Sequence, residues 1–220
     1  MNGWIRDWTS LWDLIERRAA ATPEARFAVD EDGRSLTFAE YRDAALRAAA
    51  GFAALGVGEG DVVSWQLPTW LEAMVLVGAL SRLGAVQNPI LPIYRDREVG
   101  FVVRQAGSKV LVVTSEWRGF DYAGMARGIA ADNPGTEVVV VERGTLPEGD
   151  PATLGPVPAG AAGPFTPGVR TDAPLRWLFY TSGTTADPKG ARHTDFTVGH
   201  SGYAMVDAFQ LTAEIGRAHV

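Results

Sequence analysis

The residues in this chain best suited to chemistry stand together near its end, in Thr181-Ser-Gly-Thr-Thr-Ala-Asp-Pro-Lys189. Thr181, Ser182, Thr184 and Thr185 offer hydroxyls, and Gly183 lets the backbone bend close to a ligand. Lys189 adds a point cation. Hydroxyls, free backbone N–H groups and an ammonium on one turn are what a polyphosphate requires. The stretch is not a Walker A loop. Gly183 and Lys189 have the right separation, but Pro188 stands where the second glycine belongs, and Gly190 follows where a Mg²⁺-binding Ser or Thr should be. A lone Thr-Ser-Gly-Thr-Thr would equally suit a plain hairpin turn with a surface lysine. Thr181 and Ser182 can be read either as phosphate ligands or as turn-formers.

The full string, from Tyr180 to His193, resembles the phosphate-binding signature of the adenylate-forming superfamily, which includes acyl-CoA synthetases and the adenylation domains of peptide synthetases. That signature runs roughly [YF]-T-S-G-T-T-G-x-P-K-G. This chain departs from it at Ala186, where glycine is usual. Ser35-Leu-Thr-Phe-Ala-Glu-Tyr41 and Leu80-Ser-Arg-Leu-Gly-Ala-Val-Gln-Asn-Pro-Ile90 are similar to two earlier family segments, in the family's order. The resemblance runs from Trp12 to about Ala213.

The resemblance implies a two-step reaction. A carboxylic acid attacks the α-phosphate of ATP carrying Mg²⁺, giving an acyl-adenylate and pyrophosphate; the thiol of coenzyme A then displaces AMP. It assigns Thr181, Ser182, Gly183, Thr184, Thr185 and Lys189 to the ATP phosphates, with Lys189 as the catalytic cation. A fatty-acid-like acyl-CoA synthetase is the first reading. An amino-acid- or aryl-acid-activating domain that loads a carrier protein is the second, and a non-catalytic nucleotide-binding fragment is the third. His193 either shapes the nucleotide pocket or merely caps the helix that follows.

These residues need elements to hold them. Leu175–Tyr180 is an apolar run with the content of a buried strand. Upstream, a hairpin is predicted over Arg26–Asp30 and Arg34–Thr37, with Gly33 in its turn. Thr37-x-x-Glu40 and Thr69-x-x-Glu72 read as capping boxes opening two helices, the second apolar nearly all round and ending at Gly84. Strands are predicted at Asp61–Leu67, Val86–Ile90, Lys109–Thr114 and Glu137–Val141. Helices are predicted from Asp96 to Gly107 and from Tyr122 to Ala131. Strands alternating with helices imply an α/β fold: a layered, largely parallel sheet flanked by helices. By the resemblance, this is the N-terminal part of the adenylate-forming enzyme fold, incomplete here. Trp4, Trp8 and Trp12 open the chain at helical spacing and read as docking onto the body rather than onto a lipid surface. Ser10 is placed to cap the first helix, and Thr194 or Asp195 the last.

Residues 144–174 hold seven of the chain's thirteen prolines. A structureless loop of that length is rare inside a compact domain, so the segment is expected to be a surface excursion within one domain spanning 1–213. Glu214-Ile-Gly-Arg-Ala-His-Val220 matches what a common sequencing adapter would encode in this frame before a stop. Residues 214–220 are therefore expected to be a non-native tail, with the family's C-terminal domain absent.

Composition closes off other functions. A formal charge of -6 disfavours nucleic-acid or anionic-membrane partners, and leaves Lys189 and backbone dipoles to make the local field for an anionic nucleotide. With no cysteine in the chain, thiol nucleophiles and Cys-ligated metals are excluded. His193, His200 and His219 have no metal-ligand spacing, so no protein-held metal is assigned. No secretory signal or membrane-spanning segment is evident, and a cytoplasmic location is expected.

Overall fold

The structure, a computed structural model, describes residues 7–160, 173–181 and 188–211. Trp4, Ser182, Gly183, Thr184, Thr185, Ala186 and the expected tail 214–220 lie outside the described residues, as do residues 161–172 of the excursion.

The chain opens with α1 (Leu11–Ala21), capped by Ser10, whose hydroxyl accepts from the Asp13 N–H. The hairpin β1 (Arg26–Val29) and β2 (Ser35–Thr37) turns at Gly33 and leads into α2 (Phe38–Ala54). There the capping box forms as expected, Thr37 accepting from the Glu40 N–H and Glu40 from the Thr37 N–H. β3 (Val62–Gln66), α3 (Leu71–Leu83), β4 (Val86–Pro89), α4 (Asp96–Ala106) and β5 (Val110–Val113) follow in alternation. Both α3 and α4 end on left-handed glycines, Gly84 at φ 67° and Gly107 at φ 63°, a conformation that would strain other residues. A small hairpin, β6 (Glu116–Trp117) and β7 (Phe120–Asp121), precedes α5 (Tyr122–Asp132) and β8 (Glu137–Val140). The chain returns as β9 (Trp177–Thr181), β10 (Lys189–His193) and α6 (Asp195–Ala208).

Six strands form one sheet in the order β10-β9-β4-β3-β5-β8. All neighbours are parallel except β9 and β10, which pair antiparallel. Side chains alternate between two cores. Val63, Val110 and Val112 face α1, α2 and α3, while Leu111 and Val113 face α4 and α5. The expected burial on both faces is thus met, and it explains why β5 reads as an unbroken apolar run.

The second predicted capping box does not form. The residue before α3 is Trp70, and no side chain caps that helix end. Glu72 is instead almost fully buried and bonded elsewhere. Its carboxylate accepts from both Arg34 guanidinium N–H₂ groups at 2.8 and 3.2 Å and from the Gly144 N–H at 2.7 Å. A two-point guanidinium contact outweighs one cap bond, and it ties the β1–β2 turn to α3. Burial alone would raise the Glu72 pKa, but the Arg34 guanidinium and the Gly144 N–H overcome it and hold the carboxyl below its ordinary 4.5. A depressed carboxyl pKa stabilises the fold above pH 4.5, and that contribution is lost as pH falls through the folded value. Glu72→Gln is expected to cost about 1–2 kcal/mol at neutral pH, since Arg34 is partly solvated. The same variant should flatten the acid limb of a stability-versus-pH curve, measured by urea unfolding.

Residues 144–160 lie as a strap over α2 and the end of α3. The Gly149 N–H donates to the Arg47 carbonyl at 3.0 Å. Arg82, buried in the last turn of α3, donates to the Gly155 carbonyl at 2.7 Å. Pro147 lies directly against the helix at Gly51, where a Cβ would stand 2.4 Å from the Pro147 carbonyl carbon.

Candidate functional site

β9 is the strand that leads into the residues expected to bind phosphate. Its sequence Trp-Leu-Phe-Tyr-Thr alternates faces. Tyr180 packs toward the core under α4 and α5. Trp177 and Phe179 lie on the opposite face, their rings stacked at 5.8 Å. Because β9 runs parallel to β4, Thr181 sits at the carboxyl edge of the parallel strands, where α/β sheets present ligand-binding loops.

β10 then returns beside β9. Thr181 pairs with Lys189, Tyr180 with Gly190 and Phe179 with Ala191. Directly opposed residues in an antiparallel ladder share a face and lie about 5 Å apart at Cα. The structure therefore brings Thr181 and Lys189, eight positions apart in sequence, side by side at the sheet's edge. Both are exposed. Ser182, Gly183, Thr184 and Thr185 fall in the segment that this pair closes, outside the described residues.

His193 is not brought to the same place. It lies at the far end of β10, opposite Trp177, four residues or roughly 13 Å from Lys189 at strand rise. Its Nδ1 is 3.1 Å from the Thr197 hydroxyl, and its ring meets Phe179 edge-on. His193 thus stands at the entrance of α6 without capping it. Thr194, not Asp195, is the cap, accepting from the Thr197 N–H.

Asp195 does different work, which the sequence did not announce. Its carboxylate accepts from the Trp177 indole N–H and from the Leu11 N–H, both at 2.9 Å. Burial pushes its pKa up, opposed by those two donors and by nearby Arg176. Arg176, also buried, donates to the Gly84 carbonyl at 2.7 Å and to Glu59 at 3.1 Å. Trp8 completes the attachment. It stacks on Phe196 at 5.1 Å, and its indole N–H donates to the Tyr203 hydroxyl at 2.7 Å. Trp8 and Trp12 are both 1% exposed, so the docking expected of the opening tryptophans is present for these two. Together these contacts fix β9 and α6 against the front of the chain and leave the Thr181–Lys189 end projecting. The missed signals were single polar residues beside apolar runs, Arg176 before β9 and Asp195 before Phe196. Their partners lie too far away in sequence to be paired by pattern.

The arrangement can hold an anionic group against a cation and a hydroxyl at a strand end, on a firmly anchored strand. The sequence pattern of the AMP-binding enzyme family matches residues 15–217. A salicyl-AMP ligase / salicyl-S-ArCP synthetase of Mycobacterium tuberculosis is 36% identical over 182 residues, covering 80% of this chain and 32% of that protein. A medium-chain fatty-acid–CoA ligase of Escherichia coli is 26% identical over 217 residues, covering 95% of this chain and 38% of that one. Among solved structures, the apo structure of MbtA from Mycobacterium smegmatis superposes with a TM-score of 0.72 at 28% identity, covering 93% of this chain and 37% of that chain. The chain thus spans less than half the length of these relatives. No helix among the described residues is long and apolar enough to cross a membrane.

Proposed function

This chain belongs to the AMP-binding enzyme family, a family of adenylate-forming ligases, and on that premise we propose that the protein it represents activates a carboxylic acid with ATP and passes the acyl group to the thiol of coenzyme A. The observation that carries the reading is the pairing of Thr181 with Lys189 at the carboxyl edge of the sheet. Such a pair suits the β- and γ-phosphates of ATP, with Ser182, Gly183, Thr184 and Thr185 supplying further hydroxyls and N–H groups between them.

In the first step a carboxylate oxygen attacks the α-phosphorus in line, forming the acyl-adenylate as the bond to the departing pyrophosphate breaks. Charge accumulates on that leaving group. The protein's contribution is to position it and to neutralise it, which is the work of an ammonium and oriented donors. Mg²⁺ arrives with ATP and shares the neutralisation. In the second step the thiol sulfur attacks the acyl carbon and AMP leaves.

A second reading, activation of an aryl acid for transfer to a carrier protein, is favoured by the higher identity to the salicyl-AMP ligase. The test is pyrophosphate release from ATP by the complete enzyme, measured with fatty acids and with salicylate, each with coenzyme A or a carrier protein as acceptor. Fatty-acid-dependent release with thioester formation on coenzyme A is the expected result. Release only with aryl acids and a carrier would favour the second reading, and no acid-dependent release would overturn both.

A further inference from the structure

We infer that Tyr180 and Gly190 act together as a register clamp, positioning Lys189 beside Thr181. The inference rests on the proposed phosphate role of that pair. Tyr180 and Gly190 are direct partners across β9 and β10, one step inward from Thr181 and Lys189. A Cβ placed on Gly190 would stand 2.8 Å from the Tyr180 Cζ, 3.1 Å from its hydroxyl oxygen and 3.2 Å from Cε1. The ring therefore lies across the space where a side chain at 190 would be.

Glycine weakens a strand, and β10 ends the row of described strands, so the hairpin needs another source of order. An aromatic ring laid over a cross-strand glycine supplies it. Tyr180 also reaches the core under α4 and α5, so the ring joins the hairpin's mouth to the body of the sheet. Register is the quantity at stake. Strand side chains alternate faces, so a slip of one residue would turn Lys189 to the face opposite Thr181. The clamp stands one ladder step inward from the pair, next to it and away from the proposed phosphate position. Tyr180 is thus a positioning residue, and the ring rather than the hydroxyl does the positioning.

A double-mutant cycle tests it. Tyr180→Ala removes the ring, and Gly190→Ala displaces it, so each single variant should lower kcat in acid-dependent pyrophosphate exchange about fivefold while changing the KM for the acid little. The double variant should be no worse than either single one, and Tyr180→Phe should match the parent. In the 220-residue chain the backbone amides of residues 189–191 should exchange about fivefold faster in both single variants than the change in global stability accounts for. Additive effects in the double variant, or unaltered exchange at 189–191 in both single variants, would overturn the clamp. A parent enzyme with no acid-dependent exchange would overturn the proposed function, and amide exchange would then decide the clamp alone.

Discussion

Replacing Lys189 with alanine is expected to lower the rate of acyl-adenylate formation in the complete enzyme about 10²- to 10³-fold, the range found when one preorganised electrostatic contact to a transition state is removed. The size follows from where the charge is needed. The departing pyrophosphate gains negative charge as its bond to the α-phosphorus breaks, and the chain's formal charge of -6 offers it no help from the wider field. Lys189 is held opposite Thr181 by the strand ladder, so its ammonium need not be gathered from solution for each turnover. Folding should be unaffected within about 0.5 kcal/mol, because Lys189 is exposed and no core contact depends on it. Lys189→Arg should recover only part of the rate, since a planar fork does not occupy a point cation's position. Acid-dependent pyrophosphate exchange and a thermal melt on the same preparations check both halves. Unchanged exchange in Lys189→Ala would remove the lysine from the chemistry.

The second large effect is on stability, and its sign is the reverse of the usual rule. Glycine to alanine inside an exposed helix ordinarily gains about 1 kcal/mol. At Gly51, within α2, the added Cβ would lie 2.4 Å from the carbonyl carbon and oxygen of Pro147 and 2.7 Å from the Glu148 nitrogen. All three are backbone atoms of the strap, with no flexible side-chain end to swing away. Overpacking of that kind costs about 1–3 kcal/mol or lifts the strap, which forfeits the Gly149 to Arg47 bond as well. A net loss of about 1–2 kcal/mol is expected for Gly51→Ala, a fall of several degrees in Tm for a chain of this size. Gly128, in α5, serves as the internal control, since a Cβ there meets nothing within 4 Å. Gly128→Ala should show the ordinary gain. If both variants are stabilised alike, the strap does not rest on α2.

The comparison of these two sites with the sequence shows which kinds of information a single chain carries. Elements set by local periodicity or by a cap within four residues were legible. α2 with its Thr37 and Glu40 box, α4 ending at Gly107, and the Val-rich β5 all stand close to where pattern places them. The pairing of Thr181 with Lys189 was half legible, because the strand before the loop was evident from its apolar run. The strand after it, Lys-Gly-Ala-Arg-His, has no β-branched residue and no apolar run to mark it. Glu72 misled because a local motif and a distant arginine compete for the same carboxylate, and only the distant one is invisible in sequence. The β6–β7 hairpin was missed for a related reason: its strands are two residues each, and its turn at Arg118 and Gly119, both at positive φ, is too short to disturb the surrounding pattern. Asp195 and Arg176 depend wholly on partners from other parts of the fold.

The order of the sheet has a consequence for how the protein reaches its structure. β8 occupies one edge, and β9 must be laid down beside β4, past β5 and β3. That is four strand spacings, roughly 19 Å measured across the sheet, and the described part of the route, residues 144–160, crosses outside α2 and the end of α3. The proline-rich connection is long because the journey is long. β9 and β10 therefore take their places across a surface that α2 and α3 make for the strap, with Gly149 bonded to Arg47 and Arg82 to Gly155 along the way. In such a molecule the Thr181 and Lys189 pair owes its place to the distant contacts of the strap as well as to its own ladder.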